Sequence, residues 1–205
     1  MTQVIFIHGG TTFFSYESFL ENLRTKTVMK ERLLGGVDFW MQRLGESLGP
    51  EYEIIAPSMP NKQNAQYGEW SLWFSRVAEI AEDDCILIGH SMGGIFLPKY
   101  LNEHVFPKKI KACILVAAPY NDETVEDLTD FKIPSEGSDA LGAFSRQVDE
   151  IVFFHGSDDP VISMEDAGRY KTALPEAEYH TLPAPDHFMR RDFPELIARI
   201  RALKN

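Results

Sequence analysis

The 205 residues carry 31 acidic against 20 basic side chains, a formal net charge of -11, with 44% hydrophobic and 25% charged residues. These are globular proportions that exclude a disordered, collagenous or fibrous chain, and the acidic balance argues against a nucleic-acid partner. A length of this order supports one sizeable core, so a single domain over residues 1–205 is expected to hold every motif.

The first apolar run, residues 4–7, reads as a strand and opens into His8-Gly9-Gly10-Thr11. It begins too early for a secretory signal, and no stretch approaches the roughly 18 apolar residues of a membrane span. Cys85 and Cys113 each sit in an apolar run, where a thiol behaves as a small hydrophobe. A reduced, cytoplasmic protein that does not engage membranes is the expectation.

The next strand, residues 53–56, follows about 45 residues later, too many for a plain connection, so helices are expected near 16–23 and 37–48. In the second, Phe39, Leu44 and Leu48 recur at helical spacing and Gly49-Pro50 stops the chain. Residues 13–35 open on Phe13, Phe14, Tyr16 and Phe19 and read as a small helical lid. Phe13, Met59 and Trp70 are candidates to line an acyl site, although aromatics at such spacing also read as core.

Further strands are expected at 85–88, 112–117, 150–154 and 177–182, with helices at 70–82, 92–103, 165–173 and 194–203. Ser163 with Asp166 three residues on reads as a capping box, and Asp192 as the N-cap before Pro194. Residues 120–147 are acidic, then rich in Gly, Ser and Pro, and read as a mobile excursion over the sheet edge. Strands alternating with amphipathic segments call for a three-layer α/β sandwich around a mostly parallel sheet of about six strands.

The chemistry lies at the strand ends. Ile86-Leu87-Ile88-Gly89-His90-Ser91-Met92-Gly93-Gly94 places GxSxG between a strand and a helix. There the serine sits on a strained turn, and side chains at Gly89 or Gly93 would strike backbone. Pro98, two turns into that helix, should kink it. The strand ending at Phe154 runs into His155-Gly156-Ser157-Asp158-Asp159-Pro160, which offers two carboxylates. Asp159, held before a proline, is preferred over Asp158. The last strand leads to Pro183-Ala184-Pro185-Asp186-His187, whose histidine has the pKa range to take a serine proton and return it.

An oxyanion needs two donors. The amide of Met92 is one, and Gly10, or Thr11 beside it, supplies the other. His8, His90 and His155 read as organising residues, His104 and His180 as helix-end and strand-surface residues. No metal-ligand spacing, P-loop or dinucleotide fingerprint is present, so no cofactor is expected.

The set HGG, GHSMGG, HGSDDPV and DHF resembles the α/β-hydrolase superfamily, and in its trimmed form is similar to the small serine hydrolases that include the retinoblastoma-binding group. The resemblance implies a triad of Ser91, Asp159 and His187 and, by default, hydrolysis of a carboxylic ester. A short acyl or small apolar ester is the expected substrate. The alternative is a catalytically weak protein-binding module on the same fold. Asp186 stands where many relatives carry glycine, an extra carboxylate beside the histidine.

Overall fold

Alternate residues of a strand face opposite sides of its sheet, and here both sides are apolar. Ile5, Ile7, Leu87, Cys113, Leu115 and Phe153 enter one core cluster, while Val4, Phe6, Ile86, Ile88, Ile114, Val152 and Phe154 enter another. A sheet buried on both faces is the condition that favours parallel pairing. The computed structural model describes residues 1–28, 30, 38–121, 128–133 and 140–203. Its six strands are β1 (Thr2–Ile7), β2 (Tyr52–Ile55), β3 (Cys85–His90), β4 (Ile110–Val116), β5 (Val148–Gly156) and β6 (Glu178–Leu182). They form one sheet in the order β2-β1-β3-β4-β5-β6, every neighbouring pair parallel.

Among the described residues the helices are α1 (Tyr16–Thr25), α2 (Trp40–Leu48), α3 (Tyr67–Ala78), α4 (Met92–Glu103), α5 (Gly142–Ser145), α6 (Met164–Ala173) and α7 (Pro194–Ala202). On one face Trp70 and Phe74 of α3, Phe96 and Tyr100 of α4, Phe144 of α5 and Tyr170 of α6 complete the core. On the other, Trp40, Leu44 and Leu48 of α2 meet Leu196 and Ile200 of α7. The expected three-layer α/β sandwich is therefore present. Among the described residues no helix is long and apolar enough to cross a membrane.

Strand order reverses between β1 and β3: the chain leaves β1 toward β2 on one side, and from β3 onward proceeds through β4, β5 and β6 on the other. Loops at the C-terminal ends of two such strands diverge and leave a crevice where ligands bind in open α/β sheets. The Gly9-Gly10 loop and Ser91 lie at this point.

Local expectations differ from the structure in four places. The buried stripe of α2 is Trp40, Leu44 and Leu48, one residue out of register with the expected Phe39, which is only half-buried and forms the N-cap. Ser163 is the N-cap of α6 but its side chain makes no capping bond. Asp166 is instead buried, its Oδ1 accepting from the Asn121 amide and from Arg169. The N-cap of α7 is Phe193 rather than Asp192. Helix α4 holds Pro98 within its span and continues to Glu103.

The largest difference concerns the excursion. Leu128, Phe131, Ile133, Leu141 and Phe144 are all buried, and the Phe131 ring packs edge-on 5.2 Å from Trp70. These residues belong to the core because contacts remote in sequence, which no periodicity records, draw them in. Residues 122–127 and 134–139 of that segment, residues 29 and 31–35 of the expected lid, and residue 37 of the expected second helix lie outside the described residues.

Candidate active site

Ser91 follows β3 directly and caps α4 with φ 54° and ψ -120°, a region that costs a non-glycine residue on the order of 1–3 kcal/mol. Three bonds fix it there: its amide donates to the Val116 carbonyl (2.9 Å), and its carbonyl accepts from the amides of Gly94 (2.7 Å) and Ile95 (3.3 Å). The flanking glycines are steric necessities. A methyl group on Gly89 would stand 2.3 Å from the Gly93 carbonyl oxygen, and one on Gly93 would stand 2.2 Å from that of Ile7. On the opposite side, a methyl on Gly9 would lie 3.2 Å from Ser91 Cβ, so the β1 loop and the serine are immediate neighbours.

Two carboxylates follow β5, and they do different work. Asp159 Oδ2 and Oδ1 accept from His187 Nδ1 at 2.8 and 3.0 Å, and Oδ1 also takes the amides of Val161 (2.8 Å) and Ile162 (3.1 Å). Asp158 Oδ1 accepts the Ala184 amide at 2.6 Å and so anchors the loop that carries His187. Gly156 allows the two loops to meet, since a methyl there would lie 2.8 Å from both Ala184 Cβ and Asp159 Cβ. Burial raises the Asp159 pKa, but its hydrogen bonds to His187, Val161 and Ile162 outweigh this and hold the carboxyl below its ordinary value.

A carboxylate can only accept, so His187 Nδ1 carries a proton, and in the neutral ring the lone pair is on Nε2. The loop presenting it is strained, with His187 at φ 56° and Phe188 at φ 54°. Two buried side chains hold its carbonyls: His90 Nε2 donates to the His187 carbonyl (3.0 Å) and Trp40 Nε1 to that of Phe188 (2.9 Å). Asp186 turns to Arg190, 3.0 Å away, and so has a partner other than the histidine beside it.

His8 organises the β1 loop. Its Nε2 accepts the Met59 amide (2.9 Å) and its Nδ1 donates to the Gly9 carbonyl (2.7 Å), a pattern only the neutral ring can make. Beyond it, the Thr11 amide is engaged by the Lys62 carbonyl at 2.9 Å. Among the described residues, the amides of Gly10 and Met92 form no backbone hydrogen bond.

The three candidate lining residues divide. Phe13 is half-buried, 5.5 Å from the Phe19 ring. Met59 and Trp70 belong to the core and expose almost nothing. The Trp70 Nε1 donates to the Pro60 carbonyl (2.8 Å), and its ring edge would lie 3.1 Å from a methyl on Gly10.

His90 and His155 are buried imidazoles whose pKa values desolvation lowers to about 4. Between pH 6.5 and 4 the unfolded chain binds protons at these positions that the folded chain refuses, so stability falls as pH is lowered through that window. The loss expected is roughly 2–3 kcal/mol for each group. Urea midpoints at pH 7 and pH 4.5 check it, and His155→Leu should flatten the dependence.

The sequence profile of the serine hydrolase family matches residues 36–191. No curated protein sequence matches the chain. Among solved structures, the ydeN gene product of B. subtilis aligns with a TM-score of 0.71 at 16% identity, covering 99% of this chain and 98% of its own. A carboxylesterase from the thaumarchaeon Nitrososphaera gargenis aligns with a TM-score of 0.59 at 16% identity, covering 99% and 91%. The RedJ thioesterase of prodiginine biosynthesis in Streptomyces coelicolor aligns with a TM-score of 0.56 at 15% identity, covering 98% and 90%. At such identities the likeness is one of fold, that of a minimal α/β-hydrolase.

Proposed function

This chain belongs to the serine hydrolase family, and on that premise we propose that it cleaves a small carboxylic ester, or a related acyl bond, with Ser91 as nucleophile, His187 as base and Asp159 as the group orienting the histidine. The observation that carries the reading is the pair of contacts from Asp159 to His187 Nδ1 at 2.8 and 3.0 Å, which leaves Nε2 as the basic nitrogen.

In the proposed cycle Ser91 Oγ attacks the acyl carbon while His187 Nε2 takes its proton, and the imidazolium is stabilised by Asp159. The oxyanion is received by the amides of Met92 and Gly10. Gly10 is favoured over Thr11 because the Thr11 amide already donates to Lys62. Buried Trp70, against Gly10, sets the position of that loop in this reading. His187 passes the proton to the leaving group, and water releases the acid by the reverse sequence. The activity is carboxylesterase-like, the setting cytoplasmic, and α1 forms part of a lid. The retinoblastoma-binding group of small hydrolases is the proposed subgroup, on the strength of its trimmed strand set.

The test is fluorophosphonate labelling, mapped to a residue by peptide mass, with p-nitrophenyl ester hydrolysis across acyl lengths, on the parent and on Asp159→Asn and Asp158→Asn. Stoichiometric labelling at Ser91 is expected. Asp159→Asn should lower kcat by about 10³–10⁴-fold. Asp158→Asn should retain most activity and lose about 1 kcal/mol of stability through a weakened Ala184 bond. A folded parent that neither labels nor hydrolyses would sink the reading and bring forward a protein-binding module.

A further inference from the structure

Beside the Gly9-Gly10 loop lies a cleft of about 280 Å³, lined by Tyr16 and Phe19 of α1, by Asn61, Gln63 and Asn64 between β2 and α3, and by Glu69 of α3. It shares its frame with that loop. The Thr11 amide donates to the Lys62 carbonyl (2.9 Å) and the Ala65 amide to that of Thr11 (2.8 Å). A methyl on Gly10 would stand 3.0 Å from the same Lys62 oxygen.

The lining has two kinds of surface. Phe19 and Tyr16 form an aromatic wall, their ring centroids 6.0 Å apart, and Phe13 packs behind it with its ring 5.5 Å from that of Phe19. Facing it is a polar turn closed by the Asn64 amide on the Asn61 carbonyl (2.7 Å), with Asn61 in the left-handed conformation at φ 46°. Asn61 Nδ2 holds Glu69 Oε2 at 2.8 Å, orienting that carboxylate. Asn64 Oδ1 is buried and takes no hydrogen bond among the described residues.

An alkyl chain in this cleft would desolvate those amides and the carboxylate without return. A phosphorylated or carboxylated group would meet Glu69 and a chain of net charge -11. A polyhydroxyl ring satisfies both surfaces, its C–H face on the aromatics and its hydroxyls donating to and accepting from carboxamide and carboxylate. At about 280 Å³ the cleft lies just below the usual range of ligand sites, which suits a single ring.

We propose that this cleft binds the sugar of an O-acylated monosaccharide or short glycoside whose ester is presented to Ser91; the assignment rests on the serine hydrolase reading above. Ser91 Oγ bonds to the acyl carbon, and the bond from that carbon to the sugar oxygen breaks. The serine proton, carried by His187, goes to that oxygen, which leaves as a free hydroxyl. Water then takes the acyl group, leaving the acid and restoring the Ser91 proton.

The experiment compares kcat/KM for a mono-O-acetylated methyl glucoside with that for p-nitrophenyl acetate, in the parent, Phe19→Ala, Gln63→Ala and Glu69→Ala. It is joined to saturation-transfer NMR of methyl glucoside on Ser91→Ala. The ratio of the two kcat/KM values should fall at least tenfold in Phe19→Ala and Glu69→Ala, and the glycoside should show transfer. Hydrolysis of p-nitrophenyl acetate with no glycoside binding and an unmoved ratio would overturn the sugar assignment alone. Glycoside binding without hydrolysis of either ester would overturn it from the other side, by removing the reaction rather than the ligand.

Discussion

Ser91→Ala is expected to lower kcat/KM for p-nitrophenyl esters by about 10⁴-fold or more, leaving only what binding and oxyanion donors supply without a nucleophile. Fluorophosphonate labelling should vanish with it. The same position supplies a second readout that a surface serine would not give. At φ 54° and ψ -120° an alanine inherits the backbone strain, whereas glycine occupies that region freely. Ser91→Gly should therefore be as inactive as Ser91→Ala yet more stable, by about 1 kcal/mol. For a chain of this size that is roughly 2–4 °C in Tm. Equal melting temperatures would mean that the surrounding bonds, rather than the residue's own preference, set the turn at no cost.

The parts of this fold legible in the sequence are those dictated by local chemistry. Strands β1 and β3 to β5 announce themselves because both faces of a central parallel strand are buried, giving runs such as Ile86-Leu87-Ile88. The elbow is legible because Gly89 and Gly93 answer a steric demand within five residues. Asp159 is separable from Asp158 because Pro160 stiffens the loop after it, and Asp158 is bonded instead to Ala184. What could not be read is what depends on distant partners. The carbonyl clamps on the His187 loop come from residues 97 and 148 positions away in the chain. Phe131 is core only because Trp70 and Phe96 are brought beside it, and Asp166 left its capping role for Arg169 and the Asn121 amide. Met59 and Trp70, singled out as aromatic or soft residues near the site, turned out to be buried beneath the loop. Residue type alone does not say whether a side chain faces ligand or backbone.

The proposed site depends on how closely α4 approaches the end of β1, and Gly93→Ala tests that dependence. A methyl group on Gly93 would lie 2.2 Å from the Ile7 carbonyl oxygen and 2.9 Å from that of His8. Both are backbone atoms of a central strand and its loop, so neither can swing aside as a flexible side chain would. Relief requires the N-terminus of α4 to retreat from β1, which separates the Met92 amide from Gly10 and shifts Ser91 relative to both. The expected cost is at least about 4 kcal/mol, the range of severe overpacking, or roughly 8–16 °C in Tm at this chain length. Activity should fall further than the folded fraction does, because any population that stays folded carries a displaced oxyanion site. Gly168→Ala is the internal control. It lies inside α6 with no atom within 4 Å of the added methyl, and it should stabilise by about 0.5–1 kcal/mol through helix propensity. Thermal melts and p-nitrophenyl acetate assays of the two variants side by side decide the matter. A Gly93→Ala protein of parental stability and activity would mean that the close approach of α4 to β1 is not what holds the elbow in place.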